Sequence, residues 1–450
     1  MQKSYSAIII MLNMEESYET KRYTAQILAL LGLFALSLLV ARFVITVKTS
    51  LSFSEPIRLD YAGLSVVVPR GNGWQSDGQW KYYRNTFTLS SLFDSGPGGT
   101  RAGTHCQYRL APMNVPKEVI FEQKAAAVDG SIEATGQKPA GSFTIDWVHI
   151  KKPGLPFDVF FGIAELPNNH QINIEVYQRG GDTELAKRIF QRVVDGINLE
   201  DNQMLEAGSK IVSEIKSIGI EGFLYGRNQQ SSYIIKNVRG DPIGFVIETI
   251  IASNTQFDIE GGSLLYVRGR HVNEQVTLFH SDNSFDVFVL NSEISEMSRR
   301  RNNEMVIDEA AVMTVRSANS NGNDIGSRLS KAVMPDVFGD FIFSQMIDSG
   351  IDSIFIDVVD AEGKILPAFF ARVRTEDISA SQNFSYLFRI EFLDGRGFSQ
   401  QIYLDDQRRI IRKAVRHGFI YTLERASVDD ILGEFPERAD YITQKHRLPE

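Results

Sequence analysis

The run ILALLGLFALSLLV, Ile27–Val40, contains no charged residue. It constrains the chain more than any other segment, because so long an apolar stretch must cross a membrane, be removed as a signal, or be buried in a core. Counted from Tyr23 to Val47, the segment is long enough for a hydrocarbon layer of about 30 Å, which needs about 20 residues. Arg42 lies near one end, where a long side chain reaches the headgroups, and Tyr23 suits the opposite interface. A cleavable signal ends in small residues, whereas this run continues as RFVITVKTS with β-branched and aromatic side chains. No amphipathic period marks it as a soluble core helix. The expectation is an uncleaved single-span anchor, Tyr23–Val47, behind a tail of residues 1–22. Lys21 and Arg22 are balanced by Arg42 and Lys48, so charge alone does not orient the span. The basic pair just before it favours a cytoplasmic tail and an extracytoplasmic bulk, in a bacterial inner membrane. Met14 is an alternative start that would remove the Ile8-Ile9-Ile10 patch.

The 450 residues exceed one ordinary core of about 100–200 residues, so two domains are expected behind the anchor. A content of 43% hydrophobic and 23% charged residues predicts that most of them fold. The net charge of -9 excludes a basic nucleic-acid footprint. Arg299-Arg300-Arg301, followed by Asn302, Asn303 and Glu304, reads as a solvated loop. With Cys106 as the single cysteine, no internal disulfide or thiol-rich metal site is possible. It lies too far from the apolar run to carry a lipoprotein lipid, and reads as a small, half-buried apolar residue.

A linker over 48–58 leads to a first domain over 59–200. Leu64–Val68 is a short β-branched strand closed by Pro69, and Gly71-Asn72-Gly73 signals a turn. Further strands are expected at Lys81–Ser90, Thr104–Leu110, Ser142–Ile150, Asp158–Leu166 and Gln171–Gln178. Helices are expected at Pro116–Val128 and Asp182–Ile197, the second capped by Asp182 or Thr183 with Leu185, Ile189, Val193 and Val194 on one face. The order is that of an α+β domain. Its opening strand-Pro-x-Gly-x-Gly-Trp pattern at Leu64–Trp74 and its closing helix TELAKRIFQRVVDGINL resemble the PsbP-like α+β domains. The resemblance implies a module that binds partner proteins and has no catalytic apparatus.

A connecting helix over 201–220 is followed by a second domain over 221–435 and a tail over 436–450. About a dozen alternating strands are expected there. The clearest is SYLFRIEFL, which sets Tyr386, Phe388, Ile390 and Phe392 on one face. So many strands suggest a large, strongly curved antiparallel sheet, because flat open sheets rarely exceed about ten. Asp360–Gly363 and Asp394–Gly397 have hairpin chemistry. Within the strands, MPDVFGDFIFSQMIDSG predicts a helix from Pro335 to Gly350 with Phe338, Phe341, Ile342 and Met346 on one face. A helix over a curved sheet resembles the LolA/LolB and RseB-like envelope proteins, which implies a lid over an apolar cavity.

No nucleophile elbow, H-E-x-x-H helix or P-loop is present. Gly96-Pro97-Gly98-Gly99 lacks the lysine and helix that would hold a phosphate. The histidines, at 105, 149, 170, 271, 280, 417 and 446, are scattered without ligand spacing. HSDNSFD, His280–Asp286, lacks the glycine and closing glutamate of a calcium loop and reads as a hairpin turn. Asp405-Asp406, in LDDQRRI, reads as a charged hairpin tip whose acids answer its own arginines. No metal, cofactor or nucleic acid is expected. The expected function is non-catalytic binding of a protein partner or assembly of a complex at the membrane surface, with an exposed apolar patch at Trp74, Trp80, Tyr82 and Tyr83, or at Phe157–Phe161. The alternatives are a carrier or sensor of a lipid, acyl chain or lipoprotein, using Phe338, Phe341, Ile342 and Met346, and a hydrolase without a recognisable motif.

Overall fold

In the computed structural model, the described residues are 23–41 and those between 51 and 445 except 72, 96–101, 114, 167–168, 225–228, 253–257, 268–272, 283–287, 297–298, 308–311, 318–326, 331, 361–362, 375–383, 395–396 and 418. The chain is α+β, with a mostly antiparallel, sheet-rich body behind one apolar N-terminal helix. That helix, α1 (Tyr23–Ala41), has a mean hydropathy of 2.2, and its leucines stand more than half exposed. Its length and composition suit a membrane anchor and equally a signal sequence. Arg42 to Val47 and the Ile8–Ile10 patch lie outside the described residues, as does Gly96–Gly99.

Residues expected to be linker already belong to the first domain. Ser52–Phe53 pairs with Pro69–Arg70, and Ile57–Leu59 pairs with Leu64–Val66. The main sheet of this domain is antiparallel and runs Trp74–Ser76, Thr86–Ser95, Ala102–Pro112, His170–Arg179, Phe157–Glu165, Phe143–Lys151, Ser131–Ala140, with Lys81–Tyr83 also on the Thr86–Ser95 strand. The outermost strand, Ser131–Ala140, escaped the sequence pattern. It is polar, almost wholly exposed and interrupted by Gly136 and Pro139, a composition that an edge strand tolerates. Two helices cover opposite faces of this sheet. α2 (Lys117–Ala127) packs near Val148, Ile150, Val159, Phe161 and Ile163, while α3 (Thr183–Asp195) buries Ala186, Ile189, Phe190, Val193 and Val194 against the other side. Asp182 caps α3, accepting a 2.9 Å hydrogen bond from the Leu185 amide. Cys106 is fully buried rather than half-buried, and that burial pushes its thiol pKa up. Phe160 and Phe161 are also core residues, so Phe157–Phe161 does not form an exposed patch.

The second domain begins with α4 (Gln203–Leu224), interrupted by Gly219. Its fifteen-stranded sheet is two meanders joined side by side. One runs from Gln229–Lys236 to Ser327–Arg328, the other from Val333–Pro335 to Phe419–Arg425, and Gln229–Lys236 pairs with Phe419–Arg425 to unite them. All pairings are antiparallel except Val333–Pro335 with Ser353–Val359. Arg299-Arg300-Arg301 is not a loop. It opens the strand Arg299–Ile307, paired along its length with Phe288–Glu296, so cross-strand pairing overrides the local charge signal. Residues 283–286 of HSDNSFD lie outside the described set.

Between the meanders, α5 (Gly339–Ser349) begins four residues later than its sequence suggests. Pro335 ends a strand, Asp336–Phe338 forms a 3₁₀ turn, and Gly350 closes the helix in the left-handed conformation. Phe338, Ile342 and Met346 are at most 1% exposed and Phe341 is half-buried, all in one cluster with strand residues and with Ile211, Val212 and Ile215 of α4. Phe338 meets Phe279 of the first meander, while Phe343 meets Phe370 and Phe388 of the second. Two short helices, α6 (Val428–Glu434) and α7 (Ala439–Lys445), follow the sheet.

Candidate functional site

The two domains meet along the Ser353–Val359 strand, and its alternation sets the chemistry. Ile354, Ile356 and Val358 face the core under α4 and α5, whereas Phe355 joins the core of the first domain. Asp357 follows two residues later and is 3% exposed. The sequence SIFIDVV places this carboxylate alone inside an apolar strand.

Tyr61 comes to Asp357 from 296 positions earlier in the chain. It sits in the 3₁₀ turn Asp60–Ala62, closed by Gly63 at φ 57. A Cβ at Gly63 would lie 2.8 Å from the Glu200 carbonyl oxygen, so glycine is required on both counts. The Tyr61 hydroxyl donates a short hydrogen bond to Asp357 Oδ1, and Ser330 Oγ donates to Oδ2 at 2.6 Å. His170 Nε2 stands 3.3 Å from the Tyr61 hydroxyl, and the two rings cross edge to face with centroids 5.6 Å apart. With its proton committed to the carboxylate, Tyr61 offers its oxygen as the acceptor for His170. Burial, then the charge of Asp357, pushes the Tyr61 pKa well above its ordinary value, so it remains a donor.

These groups line a cleft of about 360 Å³ between the domains. Phe355, Ile356 and Leu205 supply apolar wall, and Glu206 and Ser209 of α4 lie along it. α4 sits close here because Gly208 packs directly on the strand, where an added Cβ would fall 2.0 Å from the Phe355 carbonyl oxygen. Further contacts fasten the domains. Tyr82 donates a short hydrogen bond to the Ile365 carbonyl, Asn85 Oδ1 accepts from the Ile365 amide at 3.2 Å, and Asn169 Nδ2 donates to the Leu329 carbonyl at 2.9 Å.

Ser330, His170 and Asp357 are the residue types of a hydrolytic triad, but their order of contact differs. Ser330 donates to the carboxylate, and Tyr61 stands between that carboxylate and His170, whereas a triad sets the histidine between the serine and the acid.

The residues singled out from sequence lie elsewhere. Trp74 and Trp80 are half-buried against the first core, Tyr82 contacts the chain's own second domain, and Tyr83 is 66% exposed with the Arg84 guanidinium 5.1 Å from its ring centroid. Phe338, Phe341, Ile342 and Met346 lie in the second core. Close to them is a second polar group. Lys413 Nζ is 3.7 Å from Glu248 Oε2 and 5.2 Å from the Tyr233 ring centroid. Burial opposes the Lys413 charge, but Glu248 and Asp340 outweigh it and hold the ammonium pKa above its ordinary value. Asp340, in the first turn of α5, keeps a solvent-facing side but is recessed among its neighbours, which raises its carboxyl pKa.

No family model and no curated protein matches the chain. Among solved structures, a β-barrel-like protein of domain of unknown function DUF1849 from Brucella abortus is similar, at 9% identity over 44% of this chain and 96% of that one, with a TM-score of 0.33. A likeness of that order carries no argument about fold or activity.

Proposed function

We propose that this chain is a membrane-tethered, non-catalytic binding protein whose recognition site is the cleft between its two domains. The observation that carries this reading is the cleft itself: about 360 Å³, walled by both domains, with a buried carboxylate in its wall. Pockets at domain junctions, apolar with a few fixed polar groups, are the usual places for small ligands. In this reading α1 is an anchor and the bulk lies on the outer side of a bacterial inner membrane. The large sheet curls until its edges approach. Ser327–Arg328 and Val333–Pro335 are opposite edges joined by four residues, a step of at most roughly 18 Å, whereas fifteen strands laid flat would span roughly 70 Å. In this reading the curl wraps α5, as the LolA/LolB and RseB-like resemblance implies, and the first domain is a binding module, as the PsbP-like resemblance implies.

Native mass spectrometry of the full chain, extracted from its own membranes in an uncharged detergent, tests the reading beside Ser209→Trp, whose indole would occupy the cleft. A ligand or defined partner held by the parent and absent from the variant supports it. Identical spectra from two equally stable proteins would overturn it.

A second reading, a carrier of a lipid, acyl chain or lipoprotein inside the sheet, draws support from the recessed Lys413, Glu248 and Asp340 beside α5. There Phe341→Asp should abolish co-purification of lipid without unfolding the chain. Global unfolding would assign this face to the core alone.

A further inference from the structure

We propose that the cleft takes a small organic cation, an ammonium group carried on an apolar body. This rests on the cleft being the recognition site and assigns the chemistry of its ligand.

Three observations converge. Asp357 is 3% exposed, yet among the described residues its side-chain partners are two neutral hydroxyls, those of Tyr61 and Ser330. A carboxylate so far from water is costly unless a positive charge answers it. Two hydroxyl donors leave part of its capacity of about four acceptor sites unused. Second, among the described residues lining the cleft there is no lysine or arginine, while Glu206, exposed on α4, adds another negative charge. Third, the walls are aromatic and aliphatic. The Tyr61 and Phe355 rings meet edge to face with centroids 6.1 Å apart, and Leu205 and Ile356 extend the apolar surface. Aromatic faces attract an ammonium group and apolar walls desolvate the chain that carries it. A carboxylate ligand would meet two like charges, and a neutral apolar ligand would leave Asp357 unanswered.

Isothermal titration calorimetry on the full chain in an uncharged detergent tests this with three probes of one length: n-hexylammonium, n-hexanol and hexanoate. The ammonium should bind at least about tenfold tighter than the alcohol, and hexanoate should not bind. Asp357→Asn should lose at least about tenfold in ammonium affinity, Glu206→Gln roughly two- to fivefold as a rim charge, and Ser209→Trp should block binding. Circular dichroism confirms folding. Should Asp357→Asn fail to fold, the exposed Glu206→Gln with the ammonium-to-alcohol ratio decides. Equal binding of alcohol and ammonium overturns the proposal in favour of an apolar pocket. Binding of potassium without hexylammonium overturns it in favour of an inorganic ion. If all three probes fail but the cleft-dependent adduct persists in mass spectra, the cation assignment falls and the binding reading stands. If the adduct is absent as well, both fall.

Discussion

Glu175 and Asp357 are equally hidden, 2% and 3% exposed, but their surroundings are opposite. Glu175 has an ammonium partner inside the fold. Lys124 Nζ of α2 lies 2.7 Å from Oε2, with Tyr177 donating to the same oxygen and the Arg109 guanidinium 3.9 Å from Oε1. Lys124 also stands over the rings of Phe161 and Tyr177, at 5.4 and 4.8 Å from their centroids. Asp158, 1% exposed, has partners of its own within the domain, His149 Nε2 and the Thr183 hydroxyl, each at 2.8 Å. These carboxylates fasten helices to the sheet of the first domain, and Glu175 has its counter-charge within the chain. Among the described residues Asp357 is held by hydroxyls alone, that of Tyr61 reaching it from the other domain, and the proposed ligand would bring the counter-charge. Burial alone therefore does not distinguish these carboxylates; their partners among the described residues do.

The contrast is sharpest under substitution. Lys124→Met strands a buried carboxylate and should cost about 3 kcal/mol in urea-induced unfolding of the soluble body. Asp357→Asn, nearly isosteric and removing a charge that has no ionic partner among the described residues, should cost less than about 1 kcal/mol while weakening ammonium binding at least about tenfold. Comparable stability losses at the two positions would dissolve the distinction. Gly208→Ala should cost about 2 kcal/mol, since its methyl group would collide with backbone rather than a movable side chain, and should weaken cleft binding as α4 shifts. Thermal unfolding with and without hexylammonium separates those effects. Tyr61→Phe deletes one donor to Asp357 and should cost about 1 kcal/mol, an amount that ligand partly restores. A Phe variant as stable as the parent would show that the hydroxyl contributes little to holding the domains together.

Much of the architecture was legible because alternation and capping act locally. SYLFRIEFL reads as a half-solvated strand, and Phe388 and Ile390 are indeed buried with Arg389 exposed between them. The capping of α3 by Asp182 was visible for the same reason. Ser131–Ala140 was not, because its place is fixed by a neighbour: Gly136 leaves room for the Trp147 ring, whose nearest atom would lie 2.7 Å from a Cβ there. The cleft was the least legible part. Tyr61, His170, Ser330 and Asp357 come from four separated segments, and only the solitary aspartate within SIFIDVV signals anything in the sequence. The apolar stripe of α5 reads first as a core face and only second as a ligand surface, because periodicity records which face is apolar and does not record what covers it.

The smallest effect concerns a fourth carboxylate, Glu214, which joins α4 to α5 at the surface and carries the contrast to an acid that solvent reaches. Its Oε2 accepts hydrogen bonds from Ser349 Oγ at 2.6 Å and Gln345 Nε2 at 2.7 Å. These donors, Ser349 first, hold its pKa below the usual carboxylate range. A pKa lower in the folded than in the unfolded state stabilises above the unfolded value, near 4.3, and the contribution fades as pH falls through the folded value. Glu214→Gln should therefore cost about 0.5–1 kcal/mol at neutral pH, with the difference from the parent shrinking as the medium is acidified below about pH 4. Urea midpoints at pH 7, 5 and 3.5 measure this directly. A gap that widened on acidification would reverse the sign and show that Glu214 is better held protonated. Binding of hexylammonium should not respond to this substitution, because Glu214 is not among the described residues lining the cleft and its hydrogen bonds run from α4 to α5.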